Sequence, residues 1–188
     1  MKLTLKWLEK NNACQSGIDW YKQQGTEDFM ELCKRARDAG RFDNFIWCFA
    51  RRVSRHMAVE WACYCTELVL PIFEKMYPED KRPRLAIEAA RICAIKNTKK
   101  NRAYAAAAAD AAYAAADAAA YAYAAAAYAA ALAAAYAYAA ADAAALVAAY
   151  AYAAAAVDAA ARADAAAARK EAEVKIMDYG IRLLEGKT

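Results

Sequence analysis

From Arg84 to Tyr179 the chain contains neither glycine nor proline, and 47 of the 66 residues from Ala103 to Ala168 are alanine. Alanine has the best intrinsic helix propensity and glycine and proline the worst, so this stretch is expected to be helical. It also constrains where a core can be. A methyl group buries little area compared with Leu or Ile, at roughly 25 cal/mol per Å². Most of the core-forming side chains (Trp7, Leu8, Trp20, Phe29, Leu32, Phe42, Phe45, Ile46, Trp47, Phe49, Trp61, Leu68, Val69, Leu70, Ile72 and Phe73) precede the alanine region. The expected organisation is therefore a basic helical domain over residues 1–97 and an Ala/Tyr-rich helical region with a C-terminal helix over 98–188.

The few residues that interrupt the alanines keep a phase. On a helical wheel at about 100° per residue, Asp110, Asp117, Tyr121, Tyr128, Leu132, Tyr136, Asp142, Leu146, Tyr150, Val157 and Asp164 fall on one stripe. Tyr-Ala-Tyr triplets begin at 121, 136 and 150, steps of 15 and 14 residues that return to nearly the same face. A single helix over all 66 residues would be about 99 Å long at 1.5 Å per residue. Long helices are favoured, packed on themselves as a bundle or on copies as an oligomer. The aspartates could alternatively cap shorter helices.

Before residue 98 the punctuation is helical throughout, and no stretch alternates at period two as a strand would. Thr4 can cap a short helix ending near Asn11. Gly17 marks a loop or loose start to the segment with Trp20 and Tyr21. Gly25 followed by Thr26-Glu27-Asp28 reads as a helix stop and a new N-cap, opening a helix that stops at Gly40. Asp43 can cap the next. Ser54 can cap a longer one through about Tyr77, kinked or interrupted at Pro71. Asp80 and Pro83 suit a helix over 83–96, and Asn97 to Asn101 is the last break before the alanines.

Charge divides with composition: residues 1–102 hold 20 Lys/Arg against 13 Asp/Glu, and residues 103–168 one Arg against five Asp. This balance reads first as a solvated basic surface, with phosphate or an acidic partner as the alternative, and no nucleic-acid recognition motif accompanies it. MKLTLKWLEK lacks a signal-peptide core, so a cytoplasmic protein with six reduced cysteines is expected. Cys63 and Cys65 lie about 200° apart on a helix and cannot clamp a metal from one face. The 24 uncharged residues between Asp117 and Asp142 could span a bilayer by length, but alanine is weakly apolar and the tyrosines do not form interfacial belts. The one histidine, His56, has no Ser/Asp partner at a catalytic spacing and could pair with Glu60 four residues on. No enzyme, cofactor, metal site or membrane span is expected.

The run IFEKMYPEDKRPRLAIEAAR at residues 72–91, followed by a spacer with Asn97 and Thr98 and then the alanine expanse, resembles the Imm5-like immunity protein family. Trp7-Leu8 with Ala13-Cys14, Gly17 and Trp20 is similar to an N-terminal element often joined to it in proteins of bacteria and their phages. The resemblance implies an inhibitor that binds and blocks a toxin, or a phage-borne counter-defence protein of the anti-CRISPR kind that binds a host effector or its signal. It brings no catalytic residues.

The resulting expectation is an all-α, non-catalytic binding protein whose partner is a toxin or bacterial defence effector. Tyr121, Tyr128, Tyr136 and Tyr150, with Asp117 and Asp142 beside them, are the candidate binding residues, because Tyr supplies contact area and one hydrogen bond at low entropy cost. The same residues would serve equally as a packing seam in a structural homo-oligomer. An alternative is a sponge for a nucleotide-type immune signal, with Arg82, Arg84 and Arg91 as anion-binding candidates near free helix-start amides.

Overall fold

A computed structural model describes residues 1–118 and 166–187. Among these the chain is all α-helical, with a lone antiparallel bridge between Lys2 and Asp28. The helices are α1 (Leu5–Lys10), α2 (Gln15–Gln23), α3 (Phe29–Asp38), α4 (Phe42–Arg52), α5 (Arg55–Met76), α6 (Arg82–Ile95), α7 (Lys99–Ala118) and α8 (Ala166–Glu185).

Their ends follow from local chemistry. Thr4, Asp28 and Ser54 accept from the Trp7, Glu31 and Met57 amides and start α1, α3 and α5. Each supplies an acceptor for an amide that has no partner within its helix. Thr98 does the same for α7 through the Asn101 amide at 3.1 Å. Gly40 ends α3 at φ +62, with the Arg41 amide returning to the Ala36 carbonyl at 2.8 Å, the wrapped stop that left-handed glycine permits.

That tight return corrects one boundary. The chain re-enters a helix at Phe42 with Arg41 in the capping position, so Asp43 lies inside the first turn of α4 and does not cap it. There its carboxylate still complements the helix dipole. Helix α5 is not interrupted at Pro71 either. Pro71 is exposed, so the hydrogen bond it cannot give to the Glu67 carbonyl is lost on the water-facing side. Helix α6 begins one residue before the expected Pro83: Asp80 Oδ1 accepts from the Arg82 amide at 3.1 Å and stands in for a cap.

The core centres on α4 and α5. Phe45 stacks on Phe49 with ring centres 5.3 Å apart, and Phe49 meets Trp61 at 4.9 Å. The C-terminal helix closes this core. Ile176, Met177 and Ile181 of α8 are buried in it, and the Trp61 indole Nε1 donates to the Ile176 carbonyl at 3.0 Å. Gly180 lets the α8 backbone sit against the phenylalanines, since a Cβ there would be 3.0 Å from both Phe45 and Phe49. Arg37 bonded to Asp178 and Lys34 to Glu185, each at 2.8 Å, fix α8 along α3. These contacts run across the 97/98 division drawn on the sequence.

Helix α7 lies on α6 through alanine. Ala105, Ala108, Ala109, Ala112 and Ala115 are buried along one side of α7, which contacts α6, where Ala86, Ala89 and Ala90 are buried as well. The three- and four-residue spacing is that of a coiled-coil seam, built here from methyl groups that let the backbones come close. Asp110, the first member of the aspartate and tyrosine stripe, is exposed and lies on the other side of α7 from this seam. Among the described residues no helix is long and apolar enough to cross a membrane.

Candidate functional site

Helix α5 carries a polar strip at Glu60, Tyr64 and Glu67, spaced four and three residues apart on one face. Trp61, next to this strip, points the other way into the core, and its bond to Ile176 sets α5 against α8. That places Tyr179 over Tyr64: the rings stack with centres 3.9 Å apart and 9° between planes. The Arg182 guanidinium covers the Tyr179 ring at 5.4 Å. Burial, then the neighbouring Glu60, raises the Tyr179 phenol above its ordinary range, so it remains a hydrogen-bond donor at neutral pH.

Arg91 of α6 completes the face. Its Nη1 and Nη2 donate to the two Glu67 oxygens at 2.5 and 2.9 Å, and Nε donates to Glu60 at 3.2 Å. A two-pronged Arg–carboxylate pair fixes geometry as well as charge. The Arg91 side chain is 33% exposed, so the cluster is held in place yet reachable. Further round α6, Leu85, Ile92 and Ile95 are exposed at 44%, 45% and 75%. At about 100° per residue they follow Arg91 and Arg84 along the outward arc of the helix. The face thus combines stacked tyrosines and a fixed arginine with exposed Leu85, Ile92 and Ile95 around Glu88 on the same arc, and aromatic residues and arginine are the types that carry binding energy in protein interfaces.

The three arginines expected to hold an anion do not converge on one site. Arg82 is engaged by Asp80 at 2.6 Å, Arg84 by Glu74 at 2.6 Å and Arg91 by Glu67 and Glu60. Glu60 is taken up by Arg91, and His56 is an exposed residue of the first turn of α5. Of the tyrosine-stripe candidates, Asp117 is in the last turn of α7. Tyr121, Tyr128, Tyr136, Asp142 and Tyr150 lie outside the described residues. Tyr64, Tyr179 and Arg182 were missed in the sequence. The available signal was the Glu60–Tyr64–Glu67 strip at four- and three-residue spacing on one face of α5.

All six cysteines are thiols, with no disulfide between them. Burial pushes Cys33, Cys63 and Cys65 well above the ordinary thiol range, as expected for core cysteines. No group of three or more His, Cys, Asp or Glu residues suited to a metal ion occurs among the described residues.

Comparison with protein families matches residues 50–182 to the family described as "Imm-5 like putative immunity protein". The chain belongs to this family. No curated protein and no solved structure matched. The Imm-5 like span begins at the end of α4, takes in α5, α6 and α7, and stops at Arg182 in α8. Every residue of the tyrosine–arginine face is therefore within it, whereas α1 to α3 and most of α4 are outside.

Proposed function

We propose that the chain is a non-catalytic protein that neutralises a toxin or a host defence effector by binding it, as an immunity protein or a phage anti-defence inhibitor would. The observation that carries this reading is the position of the tyrosine–arginine face, all of it inside the span shared with an immunity-type family. Recognition by such a face needs no nucleophile or metal. It needs aromatic anchors on rigid helices, and the Tyr64–Tyr179 stack supplies them at low entropy cost.

The test uses the full chain, purified under mild conditions from bacteria that carry the candidate toxin or defence system. Retention of one polypeptide by the unaltered protein, with affinity reduced about 30-fold or more by Tyr179→Ala and by Ile92→Asp, is the expected outcome for hot-spot positions. A partner that binds both variants as tightly as the parent would remove this face from the account. Failure to retain any polypeptide, or to protect cells in the matching toxicity assay, would remove the function itself.

A further inference from the structure

Helices α1 to α4, with Leu3 before them, line a cavity of about 250 Å³ that opens to the surface beside Asn12, Cys14 and Asp43. Interiors are normally packed to crystal density, with few voids larger than a water molecule, so a space of this size is a feature of the fold. It exists because the helices meet there at small residues: Ala13, Gly17 and Ala36 line it. At Gly17 a Cβ would be 2.8 Å from Asn44 Nδ2 and 3.3 Å from Cys14 Sγ, so a larger residue there displaces the Asn44 side chain. The neck between α2 and α4 is thus set by direct contact.

The interior offers apolar surface. Leu8, Leu32 and Phe45 contribute aliphatic and aromatic walls, with the rings of Trp20 and Trp47. The Tyr21 hydroxyl is already used on the Leu3 carbonyl at 2.8 Å, which leaves its ring to the cavity. Cys33 and Cys48 also line it, as neutral thiols: burial raises both, Cys48 to about 12. Among the described residues the only charged one in the lining is Asp43, which is exposed at the rim. Beside it Asn44 accepts from Arg41 through Oδ1 at 3.0 Å, which leaves its amide nitrogen as a donor at the neck.

We propose that this cavity is a binding site for a small uncharged aromatic molecule of one or two fused rings, oriented by a hydrogen bond from the side-chain amide of Asn44. Size sets the class. An apolar cavity of about 150 Å³ takes benzene, and drug-sized ligands need roughly 300 Å³ or more. Between these limits fit indole-sized molecules, whereas nucleotides are too large and too charged. The lining lies within residues 3–48, outside the family-matched span. The site is therefore an addition to the immunity-type part of the chain. It remains coupled to that part, because Phe45 both lines the cavity and packs against Gly180 of α8.

Indole is the probe for the test, with benzoate as its charged counterpart, both added to the full-length protein. Calorimetric melting should show indole raising Tm by roughly 5 °C or more at a hundredfold excess over Kd, and benzoate leaving it unchanged. Ala36→Leu, which fills the cavity from α3, should abolish the response to indole. Intermolecular NOEs should place the indole protons against Leu32 and Trp47, a readout that does not depend on the variant folding. No Tm shift up to the solubility limit of indole, an equal response in Ala36→Leu, or NOEs to residues outside the lining would each overturn the proposal.

Discussion

Trp61 is the residue on which the packing of the core and the placement of the tyrosine–arginine face both depend. Its ring is fully buried against Phe45 and Phe49, and its indole nitrogen reaches α8 at Ile176. Trp61→Phe would keep most of the apolar contact but remove the hydrogen bond and leave a small void. The expected cost is about 1–3 kcal/mol, read as a lower urea midpoint with an unchanged m-value. Because α8 then loses a tether, the Tyr64–Tyr179 stack should loosen, seen as averaging of the two ring environments by NMR. Gly180 shows the opposite sensitivity. Gly180→Ala would push a methyl group against the two phenylalanine rings 3.0 Å away, and the overpacking should cost about 1–3 kcal/mol despite alanine's better helix propensity.

At the scale of elements, the α6–α7 pair tests the idea that alanine is used for close approach. Ala109→Leu, fully inside the seam, should destabilise the protein by about 1–3 kcal/mol. Ala107→Leu, two residues away on an exposed position, should change stability by less than about 0.5 kcal/mol; comparison of the two denaturation curves separates packing from propensity. The helices before residue 98 were legible because their signals are local: a Thr, Asp or Ser side chain reaching the amide three residues on, and glycines at positive φ. Asp43 was misassigned for an equally local reason, the return of the Arg41 amide to Ala36 that opens α4 early. The docking of α8 and the Tyr64–Tyr179 stack were not legible. Nothing near Ile176, Met177 or Ile181 specifies which distant surface they will cover, and the residues that receive them lie more than a hundred positions earlier.

For the whole molecule, the ion pairs that hold α8 along α3 give stability a definite pH dependence. The Lys34 and Lys187 ammonium groups hold the Glu185 carboxyl down at about 2, from an ordinary value of 4.5. A carboxyl depressed in the folded state contributes stability that is complete above its unfolded value and lost as pH falls toward the folded one. The attachment of α8 should therefore weaken progressively between about pH 4.5 and pH 2. Lys34→Met should flatten this part of the profile, with the two proteins differing in Tm at pH 6 and converging near pH 2. Melting curves across that range check it.

The bond between Trp61 and Ile176 joins residues 115 positions apart, and this separation governs how the chain emerges during synthesis. At roughly 5–20 residues per second, a ribosome takes about 6 to 23 s to travel between them. Throughout that interval Phe45, Phe49 and Trp61 have been made but lack the helix that covers them. The nascent chain thus carries a greasy, unsealed surface for seconds, a target for chaperones and proteases, and a premature stop anywhere before the last helix yields a product that never seals.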